Sequence, residues 1–394
     1  MNSSIAKLRL PRSYENHEPD NDCSTDPHLT KSIIYIPDTQ RLDQKEQQVA
    51  ASNPGEAPYS NVKCVKQFLT RTGRARLELR WDPILNEWIV VSSARRDRPL
   101  TPQGSCPFCA GAKEIPTTQW KVLSLRNKFP ALLAEAPAAS IQSDRFYRCR
   151  RSIGECEVVI YTPNHEGSLA SLELDQIEAL VQLWTERYRE LGKKHYVKYV
   201  LIFENKGREI GTTLDHPHGQ IYAFPFIPPL IKTELLSSKK YWNQHRACLF
   251  CRILQREQRD ALRMICENDS FACFLPFFAH WPYGVHIYSK RHMQALTDFT
   301  KKERELFAAA LKGVLTRFDG LFQMSFPYMM VFHQKPSGRK KYQHYHFHVE
   351  FYPPYRERGK IKYFASVETG AGTTTFDYTP ESKAKELRDT LGVI

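Results

Sequence analysis

The chain has 394 residues, of which 41% are hydrophobic, and this length and composition suit one large globular domain or two smaller ones. No apolar segment approaches the ~20 residues that a membrane span needs, and the N-terminus lacks the apolar core of a secretory signal, so we expect a cytoplasmic protein without a membrane partner. The formal charge of +13 favours anionic partners. Because no block of Lys and Arg stands out, phosphorylated small molecules are favoured over nucleic acid.

Residues 1–60 are rich in Asn, Asp, Ser, Gln and Pro and contain no Phe or Trp. A segment of this composition buries little apolar surface, which predicts a disordered extension. Within it, residues 33–37 (Ile-Ile-Tyr-Ile-Pro) have the composition of a short docking strand.

The ordered region is predicted to begin with two strands in residues 80–92, joined by a turn that contains Pro and Asn. A basic segment with Arg95 and Arg98 follows, and then a Cys-x-x-Cys pair, Cys106 and Cys109. A basic loop is usually only solvated, but this one lies between an apolar strand and a cysteine pair of metal-binding type. We therefore expect the two guanidinium groups to bind phosphate.

The rest of the chain contains one pattern twice. The first copy consists of the Cys-x-x-Cys pair, a strand at 158–161, His165, an amphipathic helix over 177–191, a strand at 199–203 and His-x-His at 216–218. The second copy consists of Cys248 and Cys251, a strand at 285–288, His292, a capped helix over 306–318, a strand at 329–332 and His-x-His at 346–348. The repeat predicts an α+β fold of two tandem half-units, with antiparallel sheets and packed helices. Since no secretory signal is predicted, the cysteine pairs indicate metal binding rather than disulfide bonds.

The chemistry is predicted in residues 203–220, which run from an apolar strand through a Gly-containing loop to His-Pro-His-Gly-Gln. In an extended backbone alternate side chains share a face, so His216, His218 and Gln220 point the same way. Two imidazoles and an amide suit a metal ligand, a nucleophile and an orienting hydrogen bond. The alternative for His218 is a buried histidine that is satisfied by a backbone carbonyl.

The sequence Glu-Asn-Lys-Gly followed by His-Pro-His-Gly-Gln resembles the active-site signature of galactose-1-phosphate uridylyltransferases, the nucleotidyltransferase branch of the histidine-triad superfamily. The resemblance covers most of residues 74–394 and implies histidine-triad-like domains at 61–235 and 236–394. It implies a ping-pong reaction in which UDP-glucose uridylylates His218, glucose-1-phosphate leaves and galactose-1-phosphate takes the uridylyl group. Gln220 would hold a non-bridging phosphoryl oxygen; hydrolytic and phosphorolytic relatives commonly carry histidine there, so glutamine favours transfer.

Further site residues also follow from the resemblance. The family's zinc ligands fall on Cys106, Cys109, His165 and His216, and because protein would fill all four positions of a tetrahedral ion, this metal would be structural. Lys362 and Glu368 match sugar contacts that reach across from a neighbouring subunit, which implies a homodimer. The remaining substrate contacts fall on Arg95, Arg98, Asn127, Asn205, Lys206, Thr212 and Thr213.

Two metal sites compete in the second half, where residues 342–352 alternate between aromatic side chains and imidazoles. By internal symmetry, a second zinc would be bound by Cys248, Cys251, His292 and His346. By family match, iron or a second zinc would be bound by Glu234, His333, His348 and Glu350, with Glu350 in place of a histidine that some members have. The two sites use different residues, so both can exist, and a buried polar cluster without metal is the alternative in each case.

Two other functions stay open at this point. One is a nucleotidyltransferase or phosphorylase that acts on another nucleotide sugar, such as ADP-glucose, because the sequence does not define the base pocket. The other is a catalytically silent, zinc-bound nucleotide-binding protein.

Overall fold

The computed structural model of the chain describes residues 34–36, 76–97, 106–115 and 117–390. Apart from 34–36, the predicted extension at 1–60 lies outside these residues, and so does Arg98. Within the described ranges no helix combines the length and apolarity needed to cross a membrane.

The described strands and helices follow the chain in an order that repeats. The strands are β1 (Ile34–Ile36), β2 (Leu77–Asp82), β3 (Glu87–Ser92), β4 (Val122–Arg126), β5 (Cys149–Arg151), β6 (Glu155–Ile160), β7 (Tyr199–Lys206), β8 (His218–Phe224), β9 (Met264–Glu267), β10 (Phe271–Phe274), β11 (His286–Ser289), β12 (Tyr328–His333), β13 (His348–Tyr352), β14 (Tyr355–Glu357) and β15 (Lys360–Ile361). The helices are α1 (Leu174–Gly192), α2 (Pro229–His245), α3 (Leu249–Asp260), α4 (Lys301–Leu321), α5 (Ser366–Ala371) and α6 (Pro380–Asp389).

Ten of the described strands form one antiparallel sheet in the order β1-β4-β6-β8-β7-β12-β13-β11-β10-β9. Read outward from its centre, the neighbours β7-β8-β6-β4 in one half correspond to β12-β13-β11-β10 in the other. The two series meet where β7 pairs with β12, with Phe203 opposite Val331. The predicted α+β class and duplicated half-units are therefore confirmed. The two half-sheets join edge to edge as one sheet, which the repeat alone did not predict.

One long helix in each half covers the same face of this sheet. α1 lies between β6 and β7 in the chain, and α4 lies at the corresponding place between β11 and β12. Their apolar stripes are buried in one core, where Trp184 of α1 contacts Phe332 of β12 edge-on, with ring centroids 4.9 Å apart. The predicted capping box at the start of α4 is present: the Thr300 hydroxyl accepts from the Glu303 backbone, and the Glu303 carboxylate accepts from the Thr300 backbone.

The predicted catalytic residues lie on the opposite face of the sheet. In β8, Gly219, Ile221 and Ala223 are buried on the side of the two long helices, whereas His218 and Gln220 point away from them. In the first half a three-stranded sheet, in the order β3-β2-β5, packs over this second face. In the second half, α2 and α3 cover it. The fold thus places His218 between two sheets, and its counterpart His348 between a sheet and two helices.

Candidate active site

A cavity with a volume of about 390 Å³ lies between the large sheet and the three-stranded sheet. This volume is within the range of small-molecule sites, which is about 300–1,000 Å³. Five of the predicted site residues line the cavity, from four parts of the chain: Arg95, Asn205, Thr212, His218 and Gln220. Among the described residues, the cavity is also lined by Val90, Ser92, Ala131, Phe203, Gly211 and Tyr222.

The imidazole of His218 is oriented by the backbone. Its Nδ1–H donates to the carbonyl oxygen of His216 at 2.8 Å, which puts the proton on Nδ1 and the lone pair on Nε2. The ring of Phe108 packs edge-on against it, with centroids 5.3 Å apart. A neutral imidazole held in one tautomer and one orientation is suited to nucleophilic attack.

The amide of Gln220 is oriented by a second amide. The Nδ2 of Asn127 donates to the Oε1 of Gln220 at 3.4 Å, and the Oδ1 of Asn127 accepts from the backbone of Phe129 at 2.9 Å. With its oxygen facing Asn127, Gln220 presents its NH₂ group as a neutral donor for an anion in the cavity. Asn127 does not itself line the cavity, so within this chain its contact is with Gln220.

The loop after β7 supplies a second wall of the cavity. The Thr212 hydroxyl donates to the backbone carbonyl of Asn205 at 3.0 Å, which ties the loop to the end of the strand. Thr213 does not line the cavity. On the other side, the Arg95 guanidinium donates to the Tyr222 hydroxyl at 2.5 Å.

The structure does not place Lys206 at the cavity. Strand side chains alternate between faces, and since Asn205 faces the cavity, Lys206 faces the long helices. Its ammonium group pairs with the Asp319 carboxylate of α4 at 3.0 Å and lies 5.5 Å from the ring centroid of Tyr328. In the folded chain Lys206 therefore neutralises a carboxylate of α4 and has no contact with the cavity.

The four predicted ligands of the first metal site are brought together. The Sγ atom of Cys109 lies 3.4 Å from the Nδ1 of His165 and 3.8 Å from the Nδ1 of His216, and the four ligand atoms, with that of Cys106, all lie within 4.8 Å of one another. The Nε2 of His216 donates to the Thr162 carbonyl at 2.8 Å, so its Nδ1 faces the thiols as an acceptor. Burial lowers the pKa of His216, which favours the neutral imidazole that binds metals.

The second half contains a copy of this arrangement. The Sγ of Cys251 lies 3.5 Å from the Nδ1 of His292 and 3.4 Å from the Nδ1 of His346, and with Cys248 the four ligand atoms lie within 4.8 Å. The Nε2 of His346 is within 2.9 Å of the Ser289 carbonyl, as His216 is bonded in the first half. A cavity of about 630 Å³ opens beside Cys248, Cys251 and His292.

The carboxylate-containing group of the second half is also assembled. Glu234, His333, His348 and Glu350 place one ligand atom each within 4.8 Å of the others. The Oε1 of Glu234 lies 2.9 Å from the Nδ1 of His333, and the Oε1 of Glu350 lies 3.3 Å from the Nε2 of His348. The Nδ1 of His348 donates to the carbonyl oxygen of His346 at 3.0 Å, which repeats the orientation found at His218.

Two tyrosines complete the hydrogen bonding of this group. The Tyr345 hydroxyl donates to Glu234 at 2.5 Å, and the Tyr352 hydroxyl donates to Glu350 at 2.6 Å. Although burial opposes a charged imidazole, the carboxylates of Glu234 and Glu350 outweigh it and raise the pKa of His333 to about 9. Imidazoles and carboxylates are a ligand mix that suits iron or zinc.

Lys362 and Glu368 lie outside the cavity. The Lys362 ammonium is buried, and it pairs with the Glu368 carboxylate at 3.1 Å and donates to the Thr375 carbonyl at 2.6 Å. The Thr375 hydroxyl donates to the same carboxylate at 2.7 Å, and with Lys362 it lowers the pKa of Glu368 to about 2. Neither residue lines the cavity of its own chain.

Two polar side chains among the described lining residues, those of Tyr222 and Ser92, were not predicted from the sequence. Tyr222 continues the alternation of His218 and Gln220 along β8, so the periodicity of the strand could have predicted that Tyr222 faces the cavity. Ser92, whose hydroxyl donates to the Pro130 carbonyl, comes from the other sheet, and the sequence gives no indication of that packing.

Comparisons with known proteins agree over most of the chain. Residues 69–228 match the family "Galactose-1-phosphate uridyl transferase, N-terminal domain", and residues 234–392 match the corresponding C-terminal domain. The chain is 42% identical to the galactose-1-phosphate uridylyltransferase of Thermotoga maritima over 316 residues, covering 80% of this chain and 98% of that protein. It is 31% identical to the enzyme of the same name from Haemophilus influenzae over 326 residues, covering 78% and 93%.

Solved structures show the same relationship. A uridylyltransferase structure superposes with a TM-score of 0.74 at 38% identity, covering 80% of this chain and 98% of that one. An ADP-glucose phosphorylase from Arabidopsis thaliana, with ADP-glucose bound, superposes with a TM-score of 0.62 at 25% identity, covering 79% and 97%. The two adjoining domain matches and the identities over four-fifths of the sequence show that the chain belongs to the galactose-1-phosphate uridylyltransferase family.

Proposed function

We propose that the chain transfers the uridylyl group of UDP-glucose to galactose-1-phosphate through a covalent intermediate on His218. The observation that carries this proposal is the hydrogen bond from His218 Nδ1 to the His216 carbonyl, which leaves the lone pair on Nε2 in a residue that lines the cavity. Family membership supports the substrate class.

The reaction has two balanced displacements. In the first, Nε2 of His218 attacks the α-phosphorus of UDP-glucose, and the bond from that phosphorus to the bridging oxygen breaks, so glucose-1-phosphate leaves with the electron pair. In the second, a phosphate oxygen of galactose-1-phosphate attacks the same phosphorus. The phosphorus–nitrogen bond breaks, which releases UDP-galactose and restores neutral His218.

Charge on the phosphoryl oxygens is balanced by groups that are already oriented. The Gln220 NH₂, turned by Asn127, donates to a non-bridging oxygen without adding charge. The Arg95 guanidinium, which lies beside Tyr222, supplies a positive charge, and we propose the same role for Arg98. Asn205 and Thr212 contact the sugar phosphate from the loop side, with Thr213 next to them.

The first metal group fits a structural zinc site. Two thiols and two imidazoles converge, and both histidines present Nδ1 to the sulfur atoms. When bound, zinc would cross-link the Cys106–Cys109 turn to the segment before His218. His216 then has two functions in this chain: its ring is a ligand, and its backbone carbonyl orients His218.

We propose two metal sites in the second half as well. Cys248, Cys251, His292 and His346 have the donor set of a second zinc site, and the group formed by Glu234, His333, His348 and Glu350 has the donor set for iron or zinc. Both would be structural, since their ligands do not line the cavity around His218.

A homodimer would complete the active site. Lys362 and Glu368 do not line the cavity of their own chain, so their proposed contact with the hexose phosphate requires a partner subunit. Next to them, Tyr363 and Phe364 are 73% and 44% exposed, which is the kind of apolar surface that a subunit interface buries. In this scheme residues 61–235 carry the nucleophile and residues 236–394 provide the second histidine-triad-like domain.

A second candidate, a nucleotidyltransferase or phosphorylase acting on ADP-glucose, is favoured by one observation, the structural likeness to the ADP-glucose phosphorylase. Steady-state kinetics separate the two. We expect parallel double-reciprocal plots when UDP-glucose and galactose-1-phosphate are varied, with formation of UDP-galactose. Turnover of ADP-glucose with inorganic phosphate, without turnover of UDP-glucose, would support the second candidate.

A further inference from the structure

A buried polar network lies beneath the nucleophile, on the face of the sheet away from the cavity. The Tyr161 hydroxyl donates to Oε2 of Glu204 at 3.3 Å, and the Tyr328 hydroxyl donates to Oε1 of the same carboxylate at 3.1 Å. Tyr161 is 0% exposed, Glu204 is 4% exposed and Tyr328 is 1% exposed. None of them lines the cavity, and the two displacement steps use none of them.

Tyr161 contacts the backbone on both sides of His218. Its N–H donates to the carbonyl of Pro217 at 3.1 Å. Its hydroxyl lies against Gly219 so closely that a Cβ on this glycine would be 2.2 Å from the hydroxyl oxygen. The next residue, Thr162, accepts the hydrogen bond from the ring of His216. Residues 161 and 162 thus fix the segment from His216 to Gly219.

The duplicated half provides an internal comparison. His348 corresponds to His218, so Val349 corresponds to Gly219, and Val349 is paired across the strands with Phe332. In the first half Phe203 is paired with Gln220, and because the strands are antiparallel the next pair along is Glu204 with Gly219. Glu204 therefore corresponds to Phe332. Phe332 and Val349 are fully buried in the apolar core. The fold therefore does not require a carboxyl group and a glycine at these two positions.

Burying a carboxyl group is unfavourable unless it is hydrogen-bonded, and even then a hydrophobic pair is often as stable. Burial raises the pKa of Glu204 to about 7, against the opposing effect of Lys206. At this position the half with His218 has a buried carboxyl group, whereas the other half has the apolar Phe332. Locally unfavourable choices of this kind are typical of functional sites.

We propose that Tyr161, held by Glu204 and Tyr328, is a positioning residue that sets the backbone on both sides of His218. Tyr328 belongs to β12, so through this network the second half of the chain braces the nucleophile of the first. The inference rests on the proposed function, since positioning of His218 matters only if His218 is the nucleophile.

The test is a single-turnover experiment on the full-length chain. UDP-glucose labelled at its α-phosphorus is mixed with excess enzyme, the reaction is quenched at short times, and the rate at which label appears on the protein is measured. The variants are Tyr161→Phe, Tyr328→Phe and Glu204→Gln. The matched control is Tyr283→Phe, which removes another buried hydroxyl that donates to a carboxylate, that of Glu386 at 2.6 Å, in the second half. The dissociation constant of UDP-glucose and the Tm of each variant are measured in parallel.

We expect Tyr161→Phe to slow labelling by about 10- to 100-fold, the order of loss caused by a small misplacement of a reacting group. The dissociation constant of UDP-glucose should stay unchanged, and Tyr328→Phe should slow labelling in the same direction. Tyr283→Phe should label at the wild-type rate even where its Tm is lower. If Glu204→Gln does not fold, the two tyrosine variants decide the matter.

Wild-type labelling rates in Tyr161→Phe and Tyr328→Phe would overturn the positioning role and leave the proposed function intact. Slow labelling that is matched by an equal loss of UDP-glucose affinity would also overturn it, because the network would then act on binding. A wild-type chain that binds UDP-glucose but never becomes labelled would contradict the proposed function, and the positioning role with it.

Discussion

Replacing Gly219 by alanine tests how closely the backbone next to the nucleophile is packed. The added Cβ would lie 2.2 Å from the Tyr161 hydroxyl and 3.0 Å from the carbonyl of Phe203. Either the tyrosine or β8 must then move by roughly 1 Å, a displacement that can cost on the order of 100-fold in rate. That factor corresponds to about 2.7 kcal/mol in the activation free energy. Overpacking should also lower stability by about 1–3 kcal/mol.

The assay is the kcat/KM for conversion of UDP-glucose and galactose-1-phosphate, measured for Gly219→Ala, Tyr161→Phe and the double variant. Because the shortest contact is with the hydroxyl that Tyr161→Phe removes, the two losses in activation free energy should not fully add. Gly313→Ala in α4 is the control, since a Cβ there would make only ordinary contacts, 3.6 Å from the Arg317 guanidinium and 3.8 Å from the Cys266 Sγ. Wild-type activity in Gly219→Ala, or additive losses in the double variant, would show that the contact between Tyr161 and Gly219 does not position His218.

Three further predictions concern other parts of the chain. Cys109→Ser removes one of four converging ligands, so elemental analysis of the purified protein should find one equivalent less zinc. The variant should also be uridylylated by labelled UDP-glucose more slowly than wild type. Asn127→Ala releases the Gln220 amide and should lower kcat/KM by about fivefold, the value of one hydrogen bond. Glu303→Gln removes a carboxylate that pairs with the Arg291 guanidinium. This pairing outweighs the effect of burial and lowers the pKa of Glu303 to about 2. At pH 7 the free energy of unfolding of the variant should therefore be lower by about 1–2 kcal/mol.

The pH dependence of the last prediction has a definite sign. Because the folded-state pKa of Glu303 lies below the usual value of 4.5, its contribution is fully present above pH 4.5 and is lost as the pH falls towards about 2. Urea titrations should therefore show a difference in the free energy of unfolding between wild type and Glu303→Gln that disappears over this window, and a difference independent of pH would contradict it.

Unchanged zinc content in Cys109→Ser would contradict the prediction for the first metal site. Unchanged kinetics in Asn127→Ala would contradict the prediction for the Gln220 amide.

The repeated elements were predictable because their patterns are local. Apolar residues at helical spacing placed helices over 177–191 and 306–318, and the structure has them at Leu174–Gly192 and Lys301–Leu321. The predicted alternation depends on the geometry of an extended strand, and His218 and Gln220 do line one cavity. His216 was wrongly placed with them: it precedes β8, and its ring faces the thiol of Cys109 instead of the cavity. The cysteine pairs were likewise placed beside the histidines that the repeat assigned to them.

The remaining features depend on contacts between distant segments. The pairing of β7 with β12 joins the two halves into one sheet, and nothing in either strand specifies that partner. The family resemblance implied that Lys206 contacts substrate, but adjacent residues of a strand face opposite ways, and Asn205 is the one that lines the cavity. The sequence gives no signal for Glu204, because its hydrogen-bond partners Tyr161 and Tyr328 lie 43 and 124 residues away.

The most direct test of the proposed chemistry is to trap the intermediate. Wild-type chain is incubated with UDP-glucose labelled at its α-phosphorus, and the protein-bound label is located by peptide mapping. We expect an acid-labile label on His218 in wild type and none in His218→Gly, which should still bind its metal through the ring of His216. An unlabelled wild-type chain that binds the nucleotide normally, or a label that persists in His218→Gly, would contradict it.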